Sequence, residues 1–235
     1  MPTIAEGRLT ALILDFDGVI VESVEIKTAA FRTMFAGYPD QVDAIVAFHE
    51  ANAGVSRYEK FKVIYRDMLH EPCDEERLRL LGERFLKLVM EAVIRAPEGR
   101  GAHRFLTQSA QRYALFLVSG TPEVELVEIV QRRGLASFFQ GVYGSPRSKL
   151  EMIRQILEAN DWRPDQAVVI GDSLTDLRAA MELGVPFIGR VRPGGPNPFT
   201  SLREVPIIAD LEELAQAWEG IVASQTMRVS TLERM

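Results

Sequence analysis

The sequence predicts an α/β protein: a Rossmann-like parallel sheet with helices on both faces, broken early by an inserted all-helical domain. Two observations predict it. Short apolar runs alternate with amphipathic helical stretches along most of the 235 residues, the order that βαβ units require. Between about residues 24 and 95 the alternation stops, and the apolar spacing is helical throughout.

The first strand is expected in "LTALILDF" (9–16), a run that is apolar on both alternating faces and therefore buried on both. The insertion follows as "VEIKTAAFRTMF", "PDQVDAIVAFHEA", "SRYEKFKVIYRDML" and "DEERLRLLGERFLKLVMEAVIRA", with Gly or Pro punctuation between segments. Pro97 and Gly99 mark the return to the sheet, with a helix expected around 101–112. Further strands are expected at "YALFLVS" (113–119), "GVYG" (141–144), "AVVIGD" (167–172), "PFIGRV" (186–191) and "PIIAD" (206–210). Helices are expected at "PEVELVEIVQRRG", "SKLEMIRQILEAND" and "SLTDLRAAMELG" between them. The division is thus 1–21 with 97–220 for the core, 22–96 for the helical domain and 221–235 for a frayed tail.

The composition removes several functional classes. A net charge of -6 argues against a sequence-independent nucleic-acid or anionic-membrane surface, so any anion must be bound locally. The single Cys73 excludes an internal disulfide and a multi-cysteine zinc site. His49, His70 and His103 lack metal-ligand spacing. No signal-like N-terminus and no 18-residue apolar run occur, so the cytoplasm is the expected location.

Ligands of an open parallel sheet bind at the carboxyl ends of its strands. Those ends carry Asp15 and Asp17; Ser119, Gly120 and Thr121; Arg147, Ser148 and Lys149; and Asp172 with Asp176. Four converging carboxylates repel one another, and a hard cation with oxygen ligands resolves this; Mg²⁺, which takes one or two carboxylates plus substrate phosphate, suits so open a cluster. A lone Asp15 would also be explained as the start of a turn. Ser173 with Asp176 fits a capping box, which leaves Asp172 unexplained. Thr121 as N-cap and Pro122 as first helical residue would leave Ser119 and Gly120 for an anion. Ser148 and Glu151 form a second capping box, which puts Lys149 in a first helical turn, where a cation is disfavoured unless an anion lies nearby.

Together "DFDGV", "VSGT", Lys149 and "GDSLTD" resemble the motifs of the haloacid dehalogenase superfamily of phosphohydrolases, in order over about residues 9–191. The helical insertion resembles that family's C1 cap, as in phosphoglycolate phosphatases and β-phosphoglucomutases. The resemblance implies Asp15 as the nucleophile that forms an aspartyl-phosphate, and Asp17 as the acid and base. It implies Mg²⁺ held by the Asp15 carboxylate, the Asp17 carbonyl and Asp172, with Asp176 mainly behind them. It gives the transferring phosphoryl group to Ser119 and the Gly120 N–H, with Lys149 neutralising charge and orienting Asp15. Dehalogenases lack the second aspartate, so Asp17 points to phosphoryl transfer. The expected function is a Mg²⁺-dependent phosphatase of a small phosphorylated metabolite; a phosphomutase and a catalytically silent binding module are the alternatives. Glu22 stands where the family often has aspartate. "GVSR" within "NAGVSRYEKF" resembles a substrate-specificity loop, which makes Arg57 and then Lys60 candidate substrate contacts, against a solvated helix face as the other explanation.

Overall fold

The computed structural model describes residues 9–200, 205–218 and 220; the tail expectation for 221–235 lies outside them. Six parallel strands form one sheet in the order β3-β2-β1-β4-β5-β6: β1 (Ala11–Leu14), β2 (Ala114–Pro122), β3 (Gly141–Ser145), β4 (Ala167–Gly171), β5 (Phe187–Arg190) and β6 (Ile207–Ile208). The order reverses at β1, which pairs Leu14 with Leu117 on one side and with Ile170 on the other. At such a switch the connections leave in opposite directions and open a crevice at the strand ends.

Every residue of β1 and β4 is buried, as their continuous apolar runs require. Leu12 and Leu14 pack with Phe105, Leu106, Leu126 and Ile129 from α5 (Ala102–Ser109) and α6 (Glu123–Arg132). Ala11 and Ile13 face the opposite layer, with Met152, Ile156, Leu177 and Ala180 from α7 (Lys149–Ala159) and α8 (Leu174–Leu183). The period-2 alternation of a strand thus feeds two separate cores.

Between β1 and β2 lie α1 (Val24–Met34), α2 (Val42–Ala51), α3 (Arg57–Val63), a π-helical turn (Ile64–Leu69) and α4 (Glu75–Arg95). Their interior is aromatic: the Phe31 centroid stands 5.6 Å from that of Phe61 and 5.3 Å from that of Phe85. Asp74 caps α4 by accepting from the Arg77 N–H at 2.8 Å. The "PIIAD" strand is shorter than expected, reduced to Ile207–Ile208.

One expectation at the end of β2 is wrong. Pro122 is the N-cap of α6 and Glu123 its first helical residue, because β2 runs on through Gly120 and Thr121 to pair Pro122 with Ser145. Thr121 is therefore extended backbone, and its hydroxyl is free to turn into the site rather than to cap a helix.

Candidate active site

Asp15 follows the last residue of β1, and its N–H donates to the Ile170 carbonyl at 2.9 Å, which carries the sheet ladder up to the acid itself. Its Oδ1 accepts from the Phe16 N–H at 2.7 Å, and its Oδ2 from Lys149 Nζ at 2.6 Å. Lys149 also donates to Asp176 Oδ1 at 2.5 Å. The lysine heads α7 because Ser148 and Glu151 form the expected capping box, and the Asp15 and Asp176 carboxylates supply the anions that its unfavourable place at a helix N-terminus calls for.

Ser173 and Asp176 close the second capping box at the start of α8. Asp176 Oδ2 accepts from Ser173 Oγ at 2.5 Å, so both of its oxygens are engaged. Asp172 accepts no hydrogen bond from any described residue, and Asp15, Asp172 and Asp176 each bring one carboxylate oxygen within 4.8 Å of the others. Burial first, and then Asp176, push the Asp172 carboxyl up to about 7. Asp15 is likewise raised by burial, against the pull of Lys149 and with the push of the three neighbouring aspartates. One ammonium cannot neutralise the buried Asp15 and Asp176 and the half-buried Asp172, and this surplus of hard oxygen donors fits a divalent cation of the Mg²⁺ type. Gly18 completes the approach: it takes φ +76°, and a Cβ there would overlap Asp172 Oδ2.

Asp17 lives in the opposite field. Its Oδ2 accepts from Lys27 Nζ at 2.5 Å and Thr121 Oγ1 at 3.1 Å, and its Oδ1 from Ser23 Oγ at 2.5 Å. Burial acts to raise its carboxyl, but the Lys27 charge and these hydrogen bonds outweigh burial and hold it below the usual value. Ser119, buried beside it, donates to Asp17 Oδ2 at 3.4 Å and accepts from the Thr121 N–H at 3.1 Å. Gly120 lies under the 52–56 loop of the insertion, where a Cβ would overlap the Gly54 carbonyl. Gly54 in turn has φ +78°, and a Cβ on it would overlap Thr175 Oγ1 and Ser173 Oγ and come within 3.2 Å of Lys149 Nζ. The loop rests directly on the strand-end groups, tied by Thr175 Oγ1 donating to the Ala53 carbonyl at 3.1 Å.

Arg57 and Lys60 are only 6% and 4% exposed, so the solvated-face explanation of both is wrong; the helix carrying them packs on α4 within the insertion and reaches α6 through Arg57. Arg57 makes a two-pronged ion pair with Glu125 of α6, with Nη1 donating at 2.8 Å. Lys60 Nζ meets His49 Nδ1 and the His49 carbonyl, both at 3.1 Å. Arg147 turns away to Glu123 and to Gln155. His49 is buried and stacks on Phe31 at 4.0 Å.

Sequence reasoning missed Lys27, Thr121 as a partner of Asp17, and Glu125. Lys27 had one available signal: it is the only lysine on α1, ten residues after Asp17. It also missed why Glu22 is a glutamate. Its carboxylate takes both Arg190 Nη1 and Nη2, at 3.2 and 2.6 Å, and the same guanidinium donates to the Gly18 and Ala209 carbonyls.

A doubly wound parallel sheet whose switch point presents two unlike aspartates, a buried hydroxyl and a lysine bridging two carboxylates defines an α/β enzyme built for anion chemistry. Residues 12–190 match the haloacid dehalogenase-like hydrolase family, and the chain belongs to it; it is a hydrolase of the phosphatase type. A phosphoglycolate phosphatase of Synechococcus elongatus is 28% identical over 182 residues, 75% of this chain and 81% of that protein. Among solved structures, the HAD-hydrolase YfnB of Bacillus subtilis, bound to magnesium, aligns with a TM-score of 0.64 and 22% identity over 89% of this chain and 98% of that one. CbbY of Rhodobacter sphaeroides, in complex with phosphate, aligns with a TM-score of 0.68 and 19% identity over 88% and 96%. At these identities the two structures speak for the fold.

Proposed function

We propose that the chain is a Mg²⁺-dependent phosphatase of a small phosphorylated metabolite, working through an aspartyl-phosphate on Asp15, with residues 22–96 as the cap over the site. The observation that carries this reading is that the two strand-end aspartates have separate partners: Asp15 accepts from Lys149, which also bridges to Asp176 beside Asp172, whereas Asp17 accepts from Lys27, Ser23 and Thr121. Two neighbouring acids held in different surroundings suit separate chemical roles.

Asp15 and Asp172, with the Asp17 carbonyl, are the groups that would hold the ion. Bound there, Mg²⁺ would neutralise the phosphoryl oxygens and the carboxylates around them. An Asp15 oxygen attacks phosphorus as the bond to the leaving oxygen breaks, and Asp17 delivers a proton to that oxygen. Asp17, then ionised, takes a proton from water; the water oxygen attacks phosphorus, and Asp15 is released with inorganic phosphate. Lys27 favours the ionised Asp17 that this second half needs. Lys149 keeps Asp15 aimed, while Ser119 Oγ and the Gly120 N–H offer donors to the transferring oxygens. The Gly54 loop keeps bulk water off the intermediate.

The test is phosphate release from p-nitrophenyl phosphate and from a panel of phosphorylated metabolites led by phosphoglycolate, with Mg²⁺ and with EDTA. Metal-dependent release that Asp15→Asn lowers by about a thousandfold or more supports the reading. Conversion of a sugar 1-phosphate to its isomer without stoichiometric phosphate would replace phosphatase by phosphomutase, and an unchanged Asp15→Asn would remove the nucleophile assignment.

A further inference from the structure

The chain enters the insertion at residues 20–22 and leaves it at 97–99, and the two passages pair. The Glu22 N–H donates to the Pro97 carbonyl at 3.0 Å, and the Gly99 N–H to the Ile20 carbonyl at 2.8 Å. Beside this joint β5 ends in Arg190, which is 5% exposed. Its guanidinium makes four hydrogen bonds to three residues: to both Glu22 oxygens, to the Ala209 carbonyl at 2.9 Å and to the Gly18 carbonyl at 2.8 Å. A guanidinium this buried is costly without such partners, and its planar fork fixes their relative positions.

Gly18 is the partner that reaches the site. Its N–H donates to the Val21 carbonyl at 2.8 Å and its own carbonyl is held by Arg190, so the residue is tied at both ends in its φ +76° conformation. Held there, it lies so close to Asp172 that an added Cβ would stand 2.0 Å from Asp172 Oδ2. The peptide that carries the Gly18 N–H also carries the Asp17 carbonyl. A shift of Gly18 therefore moves that carbonyl relative to the Asp172 carboxylate.

We propose that Arg190 is a positioning residue for the metal end of the site: it ties Glu22, at the root of the insertion, to the Gly18 carbonyl, and so sets the spacing between the Asp17 carbonyl and Asp172. The proposal rests on the Mg²⁺ reading above. Charge and position predict opposite effects. A cation near a carboxylate cluster opposes a second cation, so charge alone makes Mg²⁺ bind more tightly once Arg190 is removed. Loss of position makes it bind more weakly. Arg192, two residues further on, supplies the control: it carries the same charge, but it pairs with Glu25 of α1 instead of holding Gly18, and both side chains are exposed.

The test measures the Mg²⁺ Kd of the full chain by calorimetric titration without substrate, with the Mg²⁺-induced rise in unfolding temperature as a second readout. Arg190→Met and Arg190→Lys are each expected to weaken Mg²⁺ binding by about tenfold or more, the lysine because one ammonium cannot span three partners. Arg192→Met should leave the Kd unchanged. On p-nitrophenyl phosphate the Arg190 variants should need correspondingly more Mg²⁺ for half-maximal rate. If they fail to fold, Glu22→Asp decides, because it keeps the charge and loses only the reach: a weaker Kd supports the assignment and an unchanged one overturns it. Tighter or unchanged Mg²⁺ binding by either folded Arg190 variant, or equal weakening by Arg192→Met, overturns the assignment and leaves the phosphatase reading standing. A wild type that binds no Mg²⁺ overturns the metal reading and this assignment with it.

Discussion

Individual side chains decide how the two acids of "DFDGV" differ. Lys27 stabilises ionised Asp17, so Lys27→Met removes an adjacent cation and must raise the Asp17 pKa. Asp17 must enter the first half protonated to deliver its proton, so the alkaline limb of the kcat/KM profile should move to higher pH; profiles of both proteins on one ester check it. Glu22 shows why one methylene matters. Its two oxygens span the Arg190 fork, which also holds the Gly18 carbonyl next to the site. In Glu22→Asp the shorter side chain leaves a buried guanidinium partly unpaired, and a loss of about 1 to 3 kcal/mol in urea unfolding is expected. The aspartate frequent in the family at this position lacks the reach used here. The motif residues themselves were legible because their chemistry is local. Lys27 was not, because only the path of α1 back over β2 brings it to Asp17.

At the scale of elements, the site depends on how α3 and its preceding loop sit on the sheet. The Arg57–Glu125 pair joins α3 to α6 with both side chains largely buried, so breaking it leaves an uncompensated charge rather than a lost surface contact. Glu125→Ala should destabilise the protein by about 3 to 5 kcal/mol, and much less when Arg57→Met is added, which a double-mutant cycle on unfolding free energies would measure. The Gly54 loop is the second such joint. Gly54→Ala adds a Cβ at positive φ that must displace Thr175 or Ser173, so a fall in kcat/KM of tenfold or more is expected with little change in thermal unfolding. The helices and strands that form these joints follow from apolar period and capping boxes. The joints do not, since the partners stand 68 residues apart for Arg57 and Glu125 and 122 apart for Thr175 and Ala53.

For the whole molecule, the cluster of buried carboxylates links folding to protons and metal. The folded Asp172 carboxyl is raised to about 7 from an ordinary value of 3.8, and Asp15 is raised with it. The folded chain thus binds protons more tightly than the unfolded chain, and its stability is greatest below about pH 4 for these groups and falls as pH rises toward 7. With EDTA, thermal unfolding of the protein should show this decline across pH 4 to 7 as far as Asp15 and Asp172 contribute. Added Mg²⁺ should oppose it, and more strongly at the higher pH, where the ligands are ionised. Among the described residues no helix is long and apolar enough to cross a membrane. What the sequence determined by itself was the parallel sheet, the helical insertion and the strand-end acids, because apolar period and short motifs act over a few neighbouring residues. Which cation meets which acid was decided by the tertiary structure alone, because Lys27, Arg57 and Lys60 differ through their burial and partners and not through their own chemistry.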